Sequence, residues 1–133
     1  MPDSDLRSSA RAFLATARGF ALASVAVLIV SFVTAGELVQ LHELEDIHGG
    51  AAIALHVVTA GLTVALAGLA YARRSAWWTA VVAGLACIYS FIQAALGEGD
   101  TLKFHIPGAL FLVVAVVWLT AWLFSPAAAD RDR

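Results

Sequence analysis

The sequence predicts an all-α fold: an integral membrane, up-down four-helix bundle. Three observations lead there. Of 133 residues, 61% are hydrophobic and only 14% charged, with a mean hydropathy of +0.84; a soluble domain carries roughly a quarter charged residues. The apolar residues fall into four blocks bounded by charge, Gly or Pro, each near the ~20 residues a helix needs to cross a ~30 Å hydrocarbon layer. Neither amphipathic helices nor alternating strands are present to build a soluble core. In lipid the backbone must satisfy its own hydrogen bonds, so each block should be a helix.

The first helix is expected over about 13–41. Arg7, Arg11 and Arg18 precede its apolar run, as they would in a secretory signal. The run exceeds the ~7–15 residues of a signal core, so the block is read as a spanning helix. Ser24, Ser31 and Thr34 share a rough face of it, and such hydroxyls usually bond back to the backbone or across helices. The second helix is placed at about 47–72, the third at 76–97 and the fourth at 102–124. Short connections make sequential helices antiparallel neighbours. The lone Cys87, mid-way along the third block, has no intrachain partner and reads as inert packing. Short tails, 1–10 and 127–133, are expected to be mobile.

Orientation follows from charge. Arg7, Arg11, Arg18, Arg73, Arg74, Arg131 and Arg133 fall on one side of the predicted bundle. Glu37, Glu43, Glu45, Asp46, Glu98 and Asp100 gather on the other, where Lys103 is the single basic residue. By the positive-inside rule both termini are cytoplasmic, in a multi-pass protein of a cell membrane, a bacterial plasma membrane being the expected setting. Trp77, Trp78 and Trp122 fall at the cytoplasmic boundary, where indole rings favour the headgroup level. The chain has no basic arm large enough for nucleic acid. Nucleotide-binding glycine loops, nucleophilic serine motifs and paired cysteines are also missing from the sequence. Every full charge lies near a boundary, which argues against the mid-membrane charges usual at transport sites.

Three of the four histidines stand in "HELEDIHGGAAIALH", residues 42–56, between two apolar blocks. His42 and His48 lie at the first outer turn, and His105 opens the fourth helix at the second. His56 follows His48 by eight residues, so it lies about 12 Å deeper and ~80° around the helix. That spacing groups His48, Ala52, His56, Thr59 and Thr63 in one arc, predicted to face the bundle while Leu62, Leu66 and Leu69 point elsewhere. The second and fourth helices of an up-down bundle are diagonal neighbours. His48 and His105 are therefore expected to oppose each other across the core near its outer end, as axial ligands of a haem iron would. Gly49, Gly50, Ala51 and Ala52 after one histidine, and Pro107, Gly108 and Ala109 after the other, leave room for a porphyrin. Lys103 is a candidate partner for haem propionates, or a snorkelling boundary residue. His56, on the same arc as His48, is the alternative ligand from the second helix.

Three stretches resemble the haem A synthase family. "EDIH" (Glu45 to His48) resembles the Glu-x-x-His that opens its second helix. "IQAALG" (Ile92 to Gly97) is similar to its Gln-x-x-x-Gly at the end of the third, and "FHIPGA" (Phe104 to Ala109) to its His-x-x-x-Ala at the start of the fourth. Those enzymes consist of two four-helix halves, each holding a haem between histidines of its second and fourth helices. The resemblance covers one half-unit, here nearly the whole chain, and small four-helix proteins of bacteria show a similar layout. It implies His48 and His105 as the axial pair, and Glu45 where the family has a carboxylate implicated in oxidising a haem methyl group. The chain departs from the family at Gly49, where Arg is usual, and a two-haem assembly would need a homodimer. His56 has no counterpart role.

The leading expectation is a membrane protein binding haem b and moving electrons near the outer face, between a quinol or membrane dehydrogenase and an outer redox partner. Gln93 and Glu45 are candidates for binding a quinone head or relaying protons, or for simply satisfying polar neighbours. A second reading makes the haem a substrate, with Glu45 catalytic. A third places a divalent metal on His42, Glu45, Asp46 and His48, whose nitrogen and oxygen donors suit zinc. A fourth is a structural subunit of a larger membrane complex with no chemistry of its own.

Overall fold

The computed structural model describes residues 3–97 and 99–129; Glu98, Arg131 and Arg133, assigned to the two faces above, lie outside the described residues. Every regular element among the described residues is helical. In order they are α1 (Asp3–Leu41), α2 (Glu45–Arg73), α3 (Trp77–Ala95), a 3-10 turn (Gly99–Thr101), α4 (Leu102–Leu123) and the single turn α5 (Pro126–Ala129). Four stretches, Leu6–Leu41, Glu45–Arg73, Trp77–Ala95 and Leu102–Leu123, are long and apolar enough to cross a membrane. α1 and α3 each pack against both α2 and α4, which leaves α2 and α4 across a diagonal.

Two tight reversals set this order. His42 (φ 58°) and Leu44 (φ 63°) turn the chain from α1 into α2, and Arg74 (φ 49°) and Ala76 (φ 60°) turn it into α3. A left-handed residue stops a helix and frees its last carbonyls for new donors. The Arg74 N–H accordingly bonds Ala70 O and Tyr71 O. None of the four is glycine, so each reversal holds some backbone strain.

α1 starts ten residues earlier than the apolar pattern predicts. Ala10, Leu14, Ala17 and Ala21, spaced four, three and four apart, are all buried and carry one apolar stripe through the arginine-bearing turns. The polar residues between them had masked that stripe. Ala128 of α5 is fully buried in the same cluster. Within the described residues of the two tails, Ala10 and Ala128 are the buried side chains, while Arg7, Ser8, Ala127 and Ala129 are exposed.

The bundle has an arginine end and a histidine end. At the arginine end the core is Leu14, Ala17, Ala21, Leu62, Leu66, Leu69, Ala83, Leu119 and Leu123. Leu62, Leu66 and Leu69 therefore face inward, which corrects the expectation that they point elsewhere: α2 is flanked by both α1 and α3, so its buried face is wider than one arc. Gly61 and Gly68 of α2 are notches holding Phe20 and Phe13 of α1; a Cβ at either would collide with the ring. Trp78 of α3 stacks on Trp118 of α4 at 5.1 Å between centroids and meets Trp122 edge-on at 5.5 Å. The Arg18 Nε donates to Leu123 O (2.9 Å), and the Arg73 Nη1 donates to Ala128 O (2.9 Å). Cations at helix C-termini satisfy carbonyls that have no intrahelical donor.

Toward the histidine end the core shrinks to Leu28, Leu55, Ala86, Leu112 and Val116. Hydroxyls there and below behave as expected of spanning helices: Ser24, Ser31, Thr34, Thr59 and Thr63 each donate to a carbonyl one turn back in their own helix.

Candidate functional site

The first turn of α2 carries Glu45, Asp46 and His48. Glu45 and Asp46 are exposed at the head of the helix, where acidic groups complement its dipole. His48, half-buried, turns in toward α1 instead. Its Nδ1 lies 3.1 Å from the carbonyl oxygen of Ser31 and 3.0 Å from Thr34 Oγ1. The Thr34 hydroxyl donates to Val30 O (2.8 Å), so its oxygen is an acceptor for the imidazole. Across the bundle, the His105 Nδ1 lies 2.7 Å from the carbonyl oxygen of Gln93, in the last turn of α3.

Both histidines are thereby set in the same tautomer. A carbonyl oxygen only accepts, so each Nδ1 carries the proton, and in the neutral ring each Nε2 keeps its lone pair. A backbone carbonyl holding Nδ1–H is also the usual support of a metal-ligating imidazole. The ring centroids of His48 and His105 stand 6.4 Å apart with an interplanar angle of 67°. Two imidazoles sharing one metal ion in line would sit about 6–6.5 Å apart, given metal–nitrogen bonds of about 2.0–2.1 Å. The diagonal pair expected from the sequence is therefore brought together by α2 and α4.

The other predicted residues are placed elsewhere. His56 does not join His105; its ring stacks on Phe91 of α3 at 3.9 Å and 7°, and its Nε2 is buried with no hydrogen-bond partner among the described residues. His42 sits exposed in the left-handed turn after α1. The divalent-metal arrangement of His42, Glu45, Asp46 and His48 does not form: among the described residues no three His, Cys, Asp or Glu side chains converge to hold an ion. The reason is local, since His48 is drawn inward by α1 while the other three remain on the exposed turn. Lys103 is exposed, its Nζ 5.2 Å from the centre of the Phe104 ring.

Space around the pair is uneven. A Cβ at Gly49 or Gly50 would meet nothing within 4 Å, and one at Gly97 would lie 3.6 Å from the His105 ring. At Gly108, by contrast, the notch is filled: a Cβ would strike the Gln93 amide nitrogen and the Tyr89 hydroxyl. Gly49 and Gly50 are exposed, so the space beside them is open surface, and Gly108 on α4 accommodates side chains of α3.

Two features of the site escaped the sequence reading. Ser31 and Gln93 act through their backbone carbonyls, for which a sequence has no signature. Tyr89, four residues before Gln93, places its hydroxyl 3.3 Å from Gln93 Nε2, and the i,i+4 spacing was a usable signal. No family model, curated protein or solved structure matches this chain.

Proposed function

We propose that the chain is a multi-pass membrane protein that binds one b-type haem between His48 and His105 and carries electrons at the histidine end. The observation that carries this reading is the paired geometry: two diagonal imidazoles at 6.4 Å, each with Nδ1 committed to a backbone carbonyl. The donor set fits haem, because bis-imidazole ligation needs two neutral rings presenting lone pairs, held against rotation. When bound, the haem iron would supply one-electron chemistry between a membrane quinol or dehydrogenase and a partner protein.

The residues of this chain do the rest. Ser31 O and Thr34 Oγ1 fix the His48 ring on α1, and Gln93 O fixes the His105 ring on α3. Lys103, exposed two residues before His105, offers a cation for propionates at the water boundary. Arg7, Arg11, Arg18, Arg73 and Arg74 at the opposite end support, by the positive-inside rule, a reading with both termini cytoplasmic and the histidines near the outer face of a bacterial plasma membrane.

A reduced-minus-oxidised optical spectrum of the detergent-purified protein tests the reading. A sharp low-spin α band is expected, lost in both His48→Ala and His105→Ala and retained in His56→Ala. Protein that is colourless when made in haem-replete cells would refute it. Because Glu45 is exposed and outside the ligand pair, Glu45→Ala should leave the band unchanged.

A further inference from the structure

Below His105, α3 and α4 enclose a second polar cluster that ligation of iron does not use. Gln93 is 4% exposed, and its Oε1 is buried with no hydrogen-bond partner among the described residues. A buried amide oxygen left unpaired costs about 1–3 kcal/mol, so such atoms in folded proteins are normally met by a ligand or an ordered water. The Gln93 amide nitrogen is committed to Tyr89, whose oxygen accepts from it at 3.3 Å. That leaves the Tyr89 hydroxyl proton to donate elsewhere. The cluster thus presents one free acceptor and one free donor, side by side against the Gly108 notch.

Its position selects the ligand. Gln93 lies two residues from the end of α3, near the histidine-end boundary of the bundle. Tyr89 is half-buried, with its ring edge-on to Phe111 at 6.5 Å, and Phe111 is 70% exposed on the apolar flank. A ligand reaching the cluster from that flank arrives through lipid, so it must be apolar enough to dissolve there and carry a paired donor or acceptor at its head. Exposed Ile88 and Ile92 continue the apolar surface along α3 beside the cluster.

We propose that Tyr89 and Gln93 form a binding site for the head group of a lipid-soluble quinone or quinol. The Gln93 Oε1 accepts from a quinol hydroxyl, and the Tyr89 hydroxyl donates to a quinone carbonyl. Gly108 is required to be small because any side chain there would displace both groups. The function of this site as the electron entry rests on the haem reading; the binding itself does not. Gln93 links the two sites physically, since its backbone carbonyl holds His105 while its side chain faces the quinone.

That division makes the two readings separable by experiment. Binding of a short-chain ubiquinone (decyl side chain) to the detergent-purified full chain is measured by isothermal titration, with the optical spectrum recorded on the same samples. Wild-type protein should bind saturably at one site. Gln93→Leu and Tyr89→Phe should each weaken binding at least tenfold while retaining the α band, because the leucine keeps the carbonyl that holds His105. His105→Ala should do the reverse, losing the band and keeping quinone binding. Circular dichroism shows which variants retain wild-type helix content, and Tyr89→Phe, which removes a single oxygen, is the variant least able to disturb folding. Non-saturable partitioning into micelles, or equal binding by wild type and both α3 variants, would overturn the proposal and leave an ordered water as the partner of Gln93.

Discussion

The two ends of the bundle solve the same packing problem differently. On the seam between α1 and α2, Phe13 and Phe20 fill the notches at Gly68 and Gly61. Seven residues after Phe20 in α1 and seven before Gly61 in α2, Val27 and Ala54 line a stretch where the seam opens. A shallow apolar groove of about 420 Å³ remains there, lined by Ala26, Val27, Val30, Ile47, Gly50, Ala51 and Ala54. Polar groups follow the same division. Every buried side chain with an orphaned atom among the described residues, His56 and Gln93, lies in the histidine half. Close apolar packing is concentrated where no chemistry is proposed, and the unpartnered polar atoms among the described residues lie where the packing is loose. This is the pattern expected when a rigid scaffold carries a site that must admit something else.

The contrast can be broken most directly at the glycines. Gly61→Leu should lower resistance to denaturation by about 1–3 kcal/mol, because overpacking forces Phe20 out of its notch. Gly50→Leu, entering open space, should stay within about 0.5 kcal/mol of the native protein. Detergent-induced unfolding followed by circular dichroism measures both, and equal losses would abolish the distinction between the ends. A finer test lies within the loose half. Thr34→Val removes one of two acceptors for the His48 Nδ1–H and leaves Ser31 O in place. Haem affinity should fall about tenfold, as for other outer-shell partners of a metal ligand, with the α band still present; haem titration of the apoprotein gives the ratio. The smallest effect belongs to the reversal at the arginine end. Ala76→Gly relieves a left-handed alanine, and the gain, partly offset by glycine's added freedom when unfolded, should stay under about 1 kcal/mol. A loss on melting would mean that the turn is held by contacts of the Ala76 side chain.

Much of this architecture was readable because lipid-length apolar blocks permit few alternatives. The diagonal meeting of His48 and His105 followed from helix order alone, and the structure places the rings together. The early start of α1 was hidden because Arg7 and Arg11 dominate a turn whose buried partners, Ala10 and Leu14, are spread by helical spacing. The aim of Leu62, Leu66 and Leu69 was misjudged because one arc of α2 was treated as its whole inner face, although α2 has two sequence neighbours. The choice between His48 and His56 was not accessible from spacing, since both share an arc. The structure gives the two rings different surroundings: the Ser31 carbonyl and Thr34 stand against His48, and the flat face of Phe91 against His56.

The arginines that grip the far end of the chain have a consequence for how the molecule is made. Arg18 and Leu123 are 105 residues apart in sequence, and Arg73 and Ala128 are 55 apart. During synthesis the first hairpin must therefore wait until α4 and α5 have been made before its guanidinium groups find these acceptors. Closure therefore waits on α4 and α5, and a chain interrupted before Leu123 would lack both of these bonds.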